Sequence, residues 1–132
     1  MRGAVSGWAL ATGLLAAPFA WSLDELGSYF IAATECQLKG SGDAITMVRG
    51  SSPAYFALTV VTWLIALGGL WVALHNWRKT RDEHPGGGHH LLALGEGRTR
   101  FVAMCGLMTS FVFTLGFLYL ALQMFAAPLC EP

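Results

Sequence analysis

The chain has 132 residues, of which 55% are hydrophobic and only 12% charged, with no formal net charge and a mean hydropathy of +0.53. A soluble domain carries about 25% charged residues, so this composition points to an integral membrane protein. No basic patch with interleaved aromatics occurs, which leaves nucleic-acid binding without support. Net neutrality says nothing about partners here, because opposite charges are segregated along the chain.

A short head, Met1 to Gly7, carries Arg2 and leads into the apolar run Trp8 to Leu23. Two readings are open for it. A cleaved signal peptide has a basic start, an apolar core and small residues before the cut. Pro18 sits badly for a cut after either Ala17 or Ala20. Otherwise the apolar character resumes after Asp24 and Glu25 and the span covers about 6–33. A span of that length exceeds what the hydrocarbon requires, so it tilts, bends at Pro18 or leaves its last turns at the interface.

Residues 36–53 read as an outer loop containing Gly40, Gly42 and Gly50. Ser52 followed by Pro53 is a good helix start, with Ser as N-cap and Pro at the first helical position. The second span, about 54–76, ends abruptly at Trp77, Arg78, Lys79 and Arg81, an interfacial aromatic followed by basic residues. Residues 78–98 form a Pro/Gly-rich cytoplasmic loop with a small apolar island at Leu91 to Leu94. The third span, about 99–127, has no charge between Phe101 and Leu122, with Arg98 and Arg100 just before that run. About 20 such residues cross a bilayer.

Basic residues stay on the cytoplasmic side. Arg2, Arg78, Lys79, Arg81, Arg98 and Arg100 fall on one side, and Lys39 and Arg49 on the other. The N-terminus is therefore expected in the cytoplasm and the C-terminus outside. The fold expected is all-α, one membrane domain over residues 1–132 made of a bundle of three transmembrane helices. Neither loop is long enough to fold alone, so no soluble catalytic module is present.

In the second span Tyr55, Thr59, Thr62, Ala66, Gly69, Ala73 and Asn76 recur at alternating spacings of four and three, which places them on one helical face. Small and hydroxyl residues on one stripe let another helix approach closely. The other faces carry Phe56, Trp63, Leu67, Leu70 and Trp71. Ala103, Gly106, Ser110 and Thr114 form a similar stripe in the third span. The plain reading is three helices packed on one another; the sharper one is that a stripe receives a helix of another protein.

Asp24 and Glu25 are the polar residues of most interest. If the first span is continuous, both lie inside the membrane, where an acidic group is costly and normally faces a bundle interior. Ser28 lies four residues from Asp24 and Tyr29 four from Glu25, so each acid has a local hydrogen-bond partner within reach. Adjacent helical residues point about 100° apart, so one acid turns into the seam and the other away from it. Alternatively the span ends at Leu23 and both acids sit among the headgroups.

Cys36 and Cys130 fall at the outer ends of the first and third spans and form a disulfide candidate. Cys105, within an apolar helix, reads as a packing residue. Cys36, Met47, Met124 and Cys130 are ligand types suited to Cu(I), but no CxxC or MxxM spacing supports a copper site. His75, His84, His89 and His90 lie on the cytoplasmic side, the last three in a flexible linker that resembles a metal-binding tract in composition only. No Ser-His-Asp arrangement, P-loop or HExxH occurs. No catalytic, cofactor or metal residue is therefore assigned.

Several features in order resemble a family of small bacterial membrane proteins typically encoded beside haem–copper (cytochrome c oxidase) subunits. They are Gly-Leu-Leu-Ala-Ala-Pro-Phe-Ala-Trp-Ser-Leu at 13–23, Ser28-Tyr29, Cys36, Gly-Arg-Thr-Arg-Phe at 97–101, Gly106, Ser110 and Pro-Leu-Cys at 128–130. The match covers the first and third spans and extends to the second only in composition. Asp24 stands where the resemblance leads one to expect a histidine, so no role resting on an imidazole carries over. The resemblance implies a non-catalytic accessory subunit or assembly factor of a respiratory oxidase in a bacterial inner membrane, with lipid and other oxidase subunits as partners. The alternatives are a membrane-bound copper or haem handling protein and a small oligomeric transporter.

Overall fold

The computed structural model describes residues 5–43, 49–81, 96–128 and 130. The described residues form three α-helices, α1 (Gly7–Asp43), α2 (Pro53–Thr80) and α3 (Glu96–Ala126), with a 3₁₀ turn at Arg49–Ser51 ahead of α2. The protein is all-α. α2 and α3 are long and apolar enough to cross a bilayer. α1, with 37 residues, has ample length, but Asp24 and Glu25 break its apolar run and Glu35 and Lys39 follow.

Local signals account for the helix limits. The Ser52 side chain accepts a hydrogen bond from the Tyr55 N–H, and Pro53 opens α2 where its missing N–H costs nothing. α2 closes just after Arg78 and Lys79, cations well placed at a helix C-terminus. α1 contains Pro18 without ending there. It also continues through residues 36–43, which the glycines mark as loop in the sequence. Tertiary ties near its C-terminal end hold it, as described below.

The inward face of α2 consists of Tyr55, Thr59, Thr62, Ala66, Gly69, Ala73, Asn76 and Thr80. A stripe averaging 3.5 residues per repeat keeps one seam in contact along a left-handed supercoil. Phe56, Trp63 and Trp71 on the other faces are exposed; Leu67 and Leu70 are half-buried. α1 supplies a matching stripe of Gly13, Ala17, Ala20 and Asp24, all buried. α3 contributes buried Ala103, Gly106, Ser110 and Phe117, with Thr114 half-buried.

α1 and α2 run antiparallel in one register. Asn76 Nδ2 donates to the Ala9 carbonyl at 2.8 Å, and Thr62 faces Asp24. Between those levels a Cβ added to Gly69 would lie 2.8 Å from the Ala16 Cβ, so only glycine permits this approach. α3 closes on the same region of α1. The Ser110 hydroxyl donates to the Gly13 carbonyl at 2.8 Å, and a Cβ on Gly106 would meet the Gly13 backbone at 3.3 Å. The apolar centre, Ala17, Ala20, Ala66 and Phe117 with Phe113 and Leu120 against it, lies one layer further along. Trp21 packs edge-on to Phe113 there, ring centroids 5.8 Å apart.

Both ends are tied. At one, the Arg100 guanidinium lies 5.9 Å from the Trp77 ring centroid, a cation–π contact between α3 and α2. At the other, Cys36 and Cys130 form a disulfide with Cα atoms 5.9 Å apart.

Candidate functional site

Of the buried polar residues, Asp24, Ser52, Thr59 and Thr62 lie between the apolar centre and the disulfide, and Asn76, Thr80 and Ser110 lie on the other side of that centre. Asp24, projecting from the middle of α1, is 2% exposed. Its neighbour Glu25 is exposed. The 100° step between adjacent helical residues separates them, and the register of the α1 stripe decides which one enters the seam. Following Gly13, Ala17 and Ala20 by alternating steps of four and three leads to Asp24.

The partner of Asp24 comes from the other helix. Thr62 Oγ1 lies 2.8 Å from Asp24 Oδ1, 3.0 Å from the Leu58 carbonyl and 3.1 Å from the Thr59 carbonyl. One hydroxyl proton serves all three acceptors, so donation to the carboxylate competes with bonding back into α2. The local pairing suggested by spacing, Asp24 with Ser28, does not form. Ser28 Oγ is buried and makes no hydrogen bond among the described residues. An interhelical hydroxyl reaches the carboxylate head-on, whereas a residue four positions along the same helix lies one turn above it.

Thr59 Oγ1 is likewise buried without a hydrogen bond. This sets Ser28 and Thr59 apart from five other helical hydroxyls. Thr12, Ser22, Thr34, Thr80 and Thr114 each donate to the carbonyl four residues earlier.

One turn outward from Asp24 a pocket of about 190 Å³ opens between α1, the 3₁₀ turn and α2. Glu25, Ser28, Tyr29, Ala32, Arg49 and Tyr55 line it. Tyr29 is exposed, and Tyr55 is buried with its neighbours on the α2 seam. Arg49, which sequence reasoning counted only as a charge on the outer side, straps the helices together. Its N–H donates to the Ala127 carbonyl and its Nε to the Pro128 carbonyl at 3.3 Å. Above it the Ser52 hydroxyl donates to Glu35 and the disulfide joins α1 to the segment after α3. Cys36 and Cys130 are therefore not thiolates, and two of the four soft ligands considered for copper are removed in this state. Met124 is buried; Met47 lies outside the described residues.

At the opposite end a second pocket, about 500 Å³, is lined by Val5, Ser6, Ala9, Trp71, Val72, His75, Asn76 and Lys79. His84, His89, His90 and the island Leu91 to Leu94 lie outside the described residues. Cys105 is a free, half-buried cysteine on α3. Among the described residues no group of three or more His, Cys, Asp or Glu side chains converges on a point.

No protein-family model, curated protein sequence or solved structure matches the chain. The arrangement itself is a buried carboxylate held by a hydroxyl, two unpaired hydroxyls beside it, and a charged pocket leading outward. Such a site can hold water or a hydrogen-bonding group of a neighbouring molecule.

Proposed function

We propose that this chain is a non-catalytic accessory subunit or assembly factor of a respiratory terminal oxidase in a bacterial inner membrane. In this reading all three helices cross the bilayer, the N-terminus is cytoplasmic and the C-terminus periplasmic. The observation that supports this orientation is the position of the Cys36–Cys130 disulfide, which belongs in an oxidising compartment. Arg78, Lys79, Arg98 and Arg100 lie at the other end, as cytoplasmic flanks should. α1 has one end in each group, since Asn76 meets Ala9 near its start and Cys130 bonds Cys36 near its finish. That supports a third crossing with Asp24 in the interior.

The accessory role rests on the resemblance in the first and third helices and on the nature of the exposed surface. Trp63, Trp71, Phe111, Leu118, Leu122 and Phe125 face outward, toward lipid or the helices of a larger complex. Affinity purification of the tagged full chain in mild detergent tests the proposal. Oxidase subunits should co-purify, and deletion should lower the amount of assembled oxidase. Recovery of the chain alone, with oxidase assembly unaffected by deletion, would refute it. Stoichiometric copper or haem in the purified protein would instead favour the handling role.

A further inference from the structure

We infer that the pocket beside Arg49 continues inward as a water-filled chamber that ends on the carboxylate of Asp24. Bound water there has a definite set of partners: Ser28 Oγ, Thr59 Oγ1 and the Asp24 carboxylate. The chamber depends on the polar interface alone, whichever way the chain is oriented in the membrane.

Three observations converge on this. First, Ser28 and Thr59 carry the two buried side-chain oxygens among the described residues that make no hydrogen bond. Burying a hydroxyl without a partner is unfavourable, and each case calls for a bridging group. Both could have bonded back into their own helices, as Thr12, Ser22, Thr34, Thr80 and Thr114 do, yet neither does. Second, they occupy neighbouring levels of one interface. The Leu58 side chain packs into the notch at Gly27, and Ser28 follows Gly27 on α1 as Thr59 follows Leu58 on α2. Third, they stand between the open pocket and the acid. Ser28 and Tyr55 line the pocket; Ser28 is one turn from Asp24, and Thr59 lies between Tyr55 and Thr62 on the buried stripe.

A buried water needs two to four polar partners. Two hydroxyls that donate and accept, together with a carboxylate that accepts, meet that need. Residues three and four apart on a helix lie about 5–6 Å from each other, a distance one or two waters bridge. The charged and titratable groups around the chamber are Asp24, Glu25 and Tyr29 from α1, Arg49 from the turn and Tyr55 from α2. On the far side the apolar layer of Ala17, Ala20, Ala66 and Phe117 closes the route. The chamber therefore opens at the disulfide-bearing end only. Asp24 communicates with solvent from that end, and among the described residues it has no ion-pair partner inside the bundle.

Thr59→Val tests this, because valine has the same shape and lacks the hydroxyl. In a dry interface the change removes an unpaired polar atom, so the thermal midpoint in mild detergent stays or rises. With water bound, the midpoint falls. Ser28→Ala should also lower it, and the double variant should fall by less than the two single shifts combined, because both lose the same water. A rise or no change for Thr59→Val would overturn the proposal. Hydroxyl-radical footprinting of the unaltered full chain provides a readout free of folding effects. Radicals formed from bound water should modify Leu58 and Tyr55 well above Phe117. Protection of Leu58 and Tyr55 to the level of Phe117 would overturn the proposal independently.

Discussion

Thr62 on α2 places its hydroxyl 2.8 Å from the Asp24 carboxylate on α1, in the same seam where glycine and alanine bring the two backbones close. The bond gives an otherwise costly buried acid a partner. It also pins the register of two helices whose remaining contacts are mostly small and apolar.

Thr62→Val should therefore be destabilising although it conserves volume. Removing one partner of a buried polar pair costs about 1–3 kcal/mol, and here the group left without its donor is a carboxylate. Asp24→Asn keeps an acceptor for Thr62 and should cost less than Asp24→Leu, which also forces a branched apolar group into a polar niche. Thermal unfolding of the detergent-solubilised variants gives the order. If Asp24→Leu proved the most stable of the three, the carboxylate would have no structural role.

Glu25 provides the contrast. It is exposed at the rim of the outer pocket, so Glu25→Gln should leave thermal stability unchanged within about 0.5 kcal/mol, the usual range for surface substitutions. In the oxidase-accessory reading Asp24→Asn should reduce recovery of partner subunits more than Glu25→Gln does. Equal recovery for both would detach Asp24 from partner association.

The small residues admit a volume test. Gly69→Val must displace the Ala16 side chain, since a Cβ alone would approach its Cβ to 2.8 Å. Overpacking of this kind costs about 1–3 kcal/mol, and the variant should shift to a lower thermal midpoint. The adjacent Gly68 has nothing within 4 Å of an added Cβ. Gly68→Ala should be neutral or slightly stabilising, because alanine favours helix over glycine by about 1 kcal/mol. Reversal of this ranking would contradict the helix packing.

The disulfide spans a sequence separation of 94. The chain-entropy relation assigns a loop of that size roughly 4–5 kcal/mol, an upper bound for helices already confined by a bilayer. Thiol labelling in denaturant should detect Cys105 alone without reduction, and Cys36, Cys105 and Cys130 after it. Cys36→Ser should lower the thermal midpoint and free Cys130 for labelling. Labelling of Cys36 and Cys130 in the unreduced protein would rule the bond out.

Orientation is tested separately. A reporter fused after Pro132 should be active outside the cytoplasm, and one inserted within Gly86 to Gly88 should be active inside. The opposite pattern would overturn the proposed topology while leaving the helix packing intact.

Much of the architecture follows from one-dimensional properties of the chain. Apolar length marks α2 and α3, Ser52-Pro53 sets the start of α2, and the alternating spacing of Tyr55 through Asn76 identifies its inward face before any partner is known. These are local or periodic features, and periodicity survives whatever the helix packs against. The same rule, applied from Gly13 through Ala17 and Ala20, would also have singled out Asp24 over Glu25. The signal in α1 was masked because alanine and glycine are abundant on every side of it, and the two acids are adjacent.

The remaining details required three dimensions. Which hydroxyl serves Asp24 depends on the register between two helices, which no spacing within one helix contains. Thr62 wins over Ser28 because it projects across the interface at the level of the acid. The strap of Arg49 onto residues 127 and 128, and the helical continuation past Cys36, arise from contacts between residues some 80 to 94 positions apart. Sequence periodicity determined which faces turn inward; only tertiary packing decided which atoms meet there, because hydrogen bonds across an interface depend on register and distance rather than on composition.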